Sequence, residues 1–107
     1  MASSKEYLGF VLDRLSRLSD VSYRPMMGEF ILYYQGKVVG GIYDDRFLVK
    51  VTPASRRLMT SALLELPYEG AKPMLRVDDE KNAEFLKELL GAMVDELPAP
   101  RKKRSLK

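Results

Sequence analysis

Apolar residues at helical spacing mark the first segment of the chain. Between Ser3 and Leu18 they recur every three or four residues and form one stripe. The stripe consists of Tyr7, Leu8, Val11, Leu12, Leu15 and Leu18. Ser3 and Glu6 have the spacing of a capping box, in which the two side chains satisfy the free N–H groups at a helix start. The pattern predicts an amphipathic helix over residues 3–18.

The hydrophobic pattern then becomes typical of strands. Four segments rich in β-branched and aromatic residues follow one another, with turn signals between them. They cover residues 21–27, 29–34, 37–43 and 46–51. Gln35-Gly36 fits the two-residue loop of a hairpin, and Asp44-Asp45 is a second turn signal. Pro25 withholds a ladder N–H, which indicates an edge strand or a bulge. The sequence therefore predicts a four-stranded antiparallel meander.

The second half of the chain predicts two more helices and one strand. Thr52-Pro53 suits a helix start, and apolar residues at helical spacing continue until Pro67 ends the segment. Those apolar residues are Leu58, Met59, Ala62, Leu63 and Leu66. A short strand is predicted at 74–77 and a last amphipathic helix at 81–97. The order is α-β-β-β-β-α-β-α, which predicts an α+β fold with an antiparallel sheet of about five strands and helices packed on one face.

The central strands are more apolar than a sheet with one wet face requires. Residues 30–34 and 38–43 do not alternate between apolar and polar side chains. Two interpretations are open. Under the first interpretation, helices cover both faces of the sheet, or tyrosines on one face tolerate contact with water. Under the second, one face contacts a second subunit or another protein. Under the second interpretation a homodimer is one outcome, and the candidate partner-binding residues are Phe30, Tyr33, Tyr34 and Tyr43.

Composition removes most enzyme chemistry. The 107 residues include no Cys, His or Trp, which excludes disulfides, zinc sites built on thiolate or imidazole, and a His general base. The acidic residues at 44–45 and 78–80 are typical of a turn and a helix start. No phosphate-loop motif occurs. We therefore expect a protein that is not an enzyme, with no catalytic residue, cofactor or metal; a small enzyme using carboxylate or Lys chemistry is the less favoured alternative.

The positive charge is concentrated in the last residues. The chain has a net charge of +3, but residues 1–100 carry a net −2. The remaining positive charges are Arg101, Lys102, Lys103, Arg104 and Lys107, and they are the candidate contacts to nucleic acid. A tail over 98–107 that is disordered and only solubilising is the alternative. No apolar run of about 18 residues and no secretory signal is seen, so we expect no membrane contact and a cytoplasmic location.

Short motifs in the predicted sheet carry a family resemblance. They are Arg24-Pro25-Met26-Met27-Gly28-Glu29-Phe30, Tyr33-Tyr34-Gln35-Gly36-Lys37, Gly40-Gly41-Ile42-Tyr43, Phe47-Leu48-Val49-Lys50 and Tyr68-Glu69-Gly70-Ala71-Lys72-Pro73-Met74. In order and spacing they resemble the TfoX N-terminal domain, over about residues 3–97. Met27 stands where that family commonly has an aromatic, and Glu29 where it commonly has a second glycine. The motif glycines are interpreted as backbone devices: Gly28, Gly36, Gly40 and Gly41.

The resemblance implies a two-layer α+β sandwich similar to secretion-chaperone-like folds, some of which dimerise. It implies no catalytic residues. The longer TfoX/Sxy-type proteins regulate natural competence together with a cyclic-AMP receptor protein, and they carry a C-terminal helical domain. Here only residues 98–107 follow the last predicted helix. The expected function is a non-enzymatic regulatory or adaptor domain that acts through protein contacts, with a transcription regulator as partner. The alternative is a nucleic-acid-associated protein that uses the basic tail.

Overall fold

The structure, a computed structural model, describes residues 4–77, 79 and 81–97. Nine elements follow one another in these residues. They are α1 (Lys5–Arg14), β1 (Val21–Met26), β2 (Glu29–Tyr34), β3 (Lys37–Tyr43), β4 (Arg46–Val49), α2 (Pro53–Leu58), β5 (Leu64–Glu65), β6 (Met74–Arg76) and α3 (Ala83–Val94). The α+β class and the predicted order are confirmed, with β5 as an additional strand. No helix in this part of the chain has the length and apolar content needed to cross a membrane.

The strands form one antiparallel sheet with the order β1-β2-β3-β4-β6-β5. The first four are the predicted meander. Gln35 and Gly36 have φ values of 54° and 80° in the β2–β3 turn, as a hairpin loop with both central residues left-handed requires. Asp44 and Asp45 do the same between β3 and β4, with φ values of 55° and 57°. Short turns therefore determine which strands are neighbours.

The segment after Thr52 differs from the predicted long helix. Helix α2 ends at Leu58, and β5 lies within the segment predicted as helix. Leu64 and Glu65 pair with Leu75 and Met74 of β6, so the prediction of a helix up to Pro67 was wrong. Pairing with a strand distant in sequence outweighed the local helical pattern, since propensity is a weak determinant where tertiary contacts are available.

The starts of α1 and α3 also differ from the predicted positions. Ser4, not Ser3, caps α1, because its hydroxyl accepts a hydrogen bond from the Tyr7 N–H at 3.1 Å. Asn82 caps α3, where its Oδ1 accepts from the Phe85 N–H at 3.1 Å, so the helix begins two residues later than predicted. These shifts leave the apolar stripes of both helices directed into the same core.

The three helices contribute to a single core on one face of the sheet, which gives two layers as predicted. The core residues from the helices and their flanks include Leu8, Val11, Leu15, Ala54, Leu86, Leu89, Leu90 and Met93. Strand residues of one face complete it: Phe30, Leu32, Tyr34, Val39, Ile42, Phe47, Val49, Leu75 and Val77. No described helix lies over the second face of the sheet. The apolar side chains on that face must therefore be covered by something other than a helix.

Candidate functional site

The four predicted partner-binding residues divide between the two faces of the sheet. Phe30 and Tyr34 point into the helix-side core and are only 7% and 8% exposed. Tyr33 lies between them on β2 and therefore points to the second face, where it is half-buried. Tyr43 also lies outside the helix-side core. Because strand side chains alternate, the structure places Phe30 and Tyr34 in the helix-side core and Tyr33 and Tyr43 outside it, and a partner role for these residues stays a prediction.

The loop between β5 and β6, residues 66–73, packs onto the second face. Tyr68 of this loop brings its ring to 6.1 Å from the ring of Tyr43. Gly70 adopts a φ of 88°, and the Ala71 N–H donates to the Tyr68 carbonyl at 3.1 Å, which closes a turn within the loop. Tyr43 is consequently only 6% exposed although no helix lies over it.

An arginine side chain anchors the start of this loop. Arg46 Nη1 donates to Glu65 Oε1 at 2.7 Å, and Arg46 Nη2 donates to the Leu66 carbonyl at 3.2 Å. Arg76 adds a second ion pair to Glu65, with 3.5 Å between its Nη1 and Oε2. The hydrogen bond from Arg46, followed by the attraction of Arg76, lowers the pKa of Glu65. This carboxylate is therefore ionised, and its ion pairs with the two arginines stabilise the start of the loop.

A cleft of about 410 Å³ lies between the loop and the strands. One wall comes from the sheet and its continuation: Val38, Gly40, Tyr43, Lys50 and Val51. The other comes from the loop and the start of β6: Pro67, Tyr68, Ala71, Lys72, Pro73 and Met74. Burial, with smaller contributions from Tyr68, Glu29 and Tyr33, raises the pKa of Tyr43. Tyr43 therefore keeps its proton at neutral pH.

The two edges of the sheet differ chemically. At the β1 edge, the Gln35 N–H donates to the Asp20 carbonyl at 3.0 Å, and this register directs the backbone nitrogen of Pro25 outward. Pro25 has no N–H to offer there, which confirms the predicted edge position. At the β5 edge, the Arg76 N–H donates to the Leu63 carbonyl at 3.0 Å, and Leu64 faces Leu75. The N–H and C=O of Leu64 therefore point away from the sheet.

The β5 edge also exposes apolar side chains. Leu63, Leu64 and Leu66 are 66%, 53% and 49% exposed. Sequence reasoning missed this edge because it placed Leu63 and Leu66 on the buried side of a long helix. Leu64 was the available signal, since it is an apolar residue outside the predicted helical stripe. We define the leucine edge as Leu63, Leu64 and Leu66 together with the outward backbone of Leu64.

The remaining predicted site residues have simpler outcomes. Gly28 and Gly36 are turn residues with φ values of 88° and 80°. Asp45 accepts a hydrogen bond from the Ser4 N–H at 2.8 Å, which ties the β3–β4 turn to the start of α1. Among the residues that the structure describes, no group of three or more acidic side chains is placed to hold a metal ion. The five tail cations lie outside the described residues: Arg101, Lys102, Lys103, Arg104 and Lys107.

Comparison with known proteins identifies the family. Residues 13–73 match the TfoX N-terminal domain, a span that includes β1 to β5 and the whole of loop 66–73. An uncharacterised 12.7 kDa protein in the trpE 5′ region of Spirochaeta aurantia is 35% identical over 106 residues, which cover 98% of this chain and 92% of that protein. No solved structure gives a significant match, so the likeness to secretion-chaperone-like folds stays a prediction. The chain belongs to the TfoX N-terminal domain family.

Proposed function

We propose that the protein is a non-enzymatic regulatory or adaptor domain that binds another protein through the leucine edge. The observation that carries this proposal is the outward backbone of Leu64, which no described residue pairs, together with its own exposed side chain and those of Leu63 and Leu66. An open strand edge is a template for pairing with another chain. An extended apolar segment of a partner can add there as a seventh strand, with its backbone on Leu64 and its side chains on the leucines.

The opposite edge supports this choice of surface. Pro25 leaves β1 without one outward donor, which is a recurrent way to protect an edge from unwanted pairing. The leucine edge has no such protection. Proteins that expose contiguous apolar residues commonly use them as contact sites. The contrast between the two edges favours β5 as the surface that meets a partner.

The regulatory part of the proposal rests on the family. TfoX N-terminal domains occur in regulators of competence, so a transcription regulator is the proposed partner and the cytoplasm the proposed location. Among the described carboxylates, Glu65 is the one whose pKa is lowered, and it is held by Arg46 and Arg76 and supports the β5–β6 loop. That role is structural, which agrees with a domain that works by contact and not by catalysis.

Site-specific photo-crosslinking in the native cell tests the proposal. A photoreactive residue at position 63, in the full chain, should capture one partner protein, whereas the same residue at position 87 on α3 should not. Leu64→Pro is the decisive second change, because it removes the outward N–H and, like Pro25, costs no ladder hydrogen bond. We expect the crosslink at position 63 to disappear in the Leu64→Pro chain.

Two results would contradict the proposal: no more crosslinking at position 63 than at position 87, or a crosslink that survives Leu64→Pro. Light scattering on the purified chain distinguishes a self-contact from a contact with another protein. A crosslinked species with twice the chain's mass, together with a dimer in solution, would assign the leucine edge to a homodimer and overturn the heterologous partner.

Nucleic-acid binding is a second candidate function, favoured by the charge of the tail. Five positive charges occur in the last seven residues. If all five meet phosphates, the log–log salt slope is about −4.5, and a fourfold rise in salt costs about 500-fold in affinity. Fluorescence anisotropy with duplex DNA at two salt concentrations measures this slope. Replacing the five tail cations by Gln should abolish binding, whereas absence of binding by the native chain would exclude this function.

A further inference from the structure

The cleft contains a hydroxyl group with no hydrogen-bond partner among the described residues. Tyr43 is 6% exposed, lines the cleft, and makes no hydrogen bond through its hydroxyl to this part of the chain. Its ring lies back over Gly41, because a Cβ on Gly41 would fall 2.8 Å from Tyr43 Cζ. The hydroxyl end is thus displaced along β3 toward Val38 and Gly40, which also line the cleft. Among the described residues, Arg14 Nε is the only fully buried side-chain polar atom without a partner, so the Tyr43 hydroxyl keeps some contact with solvent and can donate a hydrogen bond to a ligand in the cleft.

Two lysines line the same cleft, and neither has a counter-ion among the described residues. Lys50 is half-buried at the end of β4, and Lys72 is on the loop wall. Neither forms an ion pair or side-chain hydrogen bond with a described residue. No carboxylate is among the lining residues. Lys37 shows the contrast, since its Nζ donates to the Val94 carbonyl at 2.8 Å. Cations of one sign in a recess attract an anion.

The rest of the lining is apolar and suits an organic body. Val38, Val51, Pro67, Pro73 and Met74 supply aliphatic surface. The ring of Tyr68 adds an aromatic surface beside Tyr43. The volume of about 410 Å³ lies within the range of small-molecule sites, which is about 300–1,000 Å³. Inorganic ions would leave most of this apolar surface unused.

We infer that the cleft binds a small organic anion, a carboxylate or phosphate attached to an apolar or aromatic body. The anionic group is placed between Lys50 and Lys72, within reach of the Tyr43 hydroxyl, and the body lies against the prolines, Val51 and the Tyr68 ring. This inference does not depend on the proposed protein contact, because the leucine edge uses the outward backbone of β5 and the cleft lies on the second face of the sheet.

Nuclear magnetic resonance on the full ¹⁵N-labelled chain tests the inference with three probes: benzoate, phenyl phosphate and the neutral benzyl alcohol. We expect the anions to shift the amide signals of residues that line the cleft. An anionic probe should bind at least about 10-fold more tightly than benzyl alcohol, as a charge-assisted hydrogen bond requires. The stronger of the two anions identifies whether the site prefers carboxylate or phosphate.

Lys50→Gln and Tyr43→Phe remove the charge and the hydroxyl, and Lys87→Gln on α3 is the matched control. The first two should each weaken the anionic probe by about 10-fold, and the control should leave its affinity unchanged. If Lys50→Gln does not fold, the exposed Lys72→Gln takes its place. Equal binding of benzyl alcohol, shifts outside the cleft, or affinity unchanged by either lysine substitution would overturn the inference.

Discussion

The centre of β3 contains glycine because a larger side chain would clash with neighbouring atoms. A Cβ on Gly40 would meet the Leu48 carbonyl and lie 2.7 Å from Val49 Cα on the neighbouring strand. A Cβ on Gly41 would lie 2.6 Å from the Phe30 carbonyl and 2.6 Å from Tyr43 Cε2. The contacts with Leu48, Val49 and Phe30 involve backbone, which cannot move without disturbing the sheet. The sequence analysis interprets these glycines as backbone devices, and the distances give the physical reason, which is close approach of neighbouring strands.

Gly40→Ala should lower the free energy of unfolding by about 3 kcal/mol, since overpacking against backbone has no side-chain relief. Gly91→Ala is the matched control, because nothing lies within 4 Å of its added Cβ. In the middle of α3 that change should raise stability by about 0.5–1 kcal/mol. Urea denaturation of the two variants measures the difference. Equal stabilities would show that the sheet relaxes around Gly40.

At the scale of elements, ion pairs stabilise strand β5, which local strand propensity alone would not stabilise. A strand of two residues has little stability of its own. Arg46 of β4 and Arg76 of β6 both hold Glu65 of β5, so three strands share one charged cluster. The side chain of Glu65 is 22% exposed, which screens these pairs less than fully exposed ones. The cluster therefore links the leucine edge to the centre of the sheet.

The lowered pKa of Glu65 predicts a pH-dependent loss of stability. A carboxyl whose pKa is lower in the folded state stabilises the fold above its ordinary value of 4.5, and this contribution is lost as the pH falls through the lowered pKa. Glu65→Gln should cost about 1 kcal/mol at neutral pH. The variant and the native chain should converge in stability at about pH 2.

Urea denaturation of Glu65→Gln at both pH values measures this convergence. Glu88→Gln is the control, because Glu88 is exposed on α3 and has no ion pair with a described residue. It should change stability by less than about 0.5 kcal/mol at either pH. A loss for Glu65→Gln that stays constant from neutral to acid pH would show that packing, and not charge, holds the β5–β6 loop.

For the whole molecule, the sheet has two edges, and each limits pairing with other chains in a different way. Edge strands are liable to pair with other chains, and proline on the outward side is one of the devices that prevent it. Pro25 is such a device on the six-residue strand β1, whereas β5 is open but only two residues long. The molecule therefore presents one limited site for strand addition, in a place separate from the anion cleft.

Pro25→Thr should open the second edge and increase self-association. The substitution supplies an outward N–H on a long strand, with a residue that favours β structure. Light scattering over a range of concentrations compares the variant with the native chain. Ser22→Thr on the same strand is the control, since it adds β propensity without a new outward donor. A mass for Pro25→Thr equal to that of the native chain at every concentration would contradict this role for Pro25.

Local sequence signals predicted most of the fold. The turn signals at Gln35-Gly36 and Asp44-Asp45 and the 3.6-residue stripes identified the meander and both long helices, because these features depend on neighbours in the chain. The same motifs placed the chain in the TfoX N-terminal domain family. Pro25 even indicated an edge strand, since a missing N–H has the same consequence in any sheet.

Contacts between distant residues decided the rest. The pairing of Leu64 with Leu75 converted a predicted helix into the leucine edge. The folding of loop 66–73 over the second face buried Tyr43 and brought Lys50 and Lys72 to one cleft. The periodicity of apolar residues in the sequence predicts neither result. Each depends on hydrogen bonds and side-chain contacts between segments that are far apart in the sequence. The sequence by itself determined most of the elements and the family, and the tertiary structure decided which residues line the cleft and which lie at the open edge of the sheet.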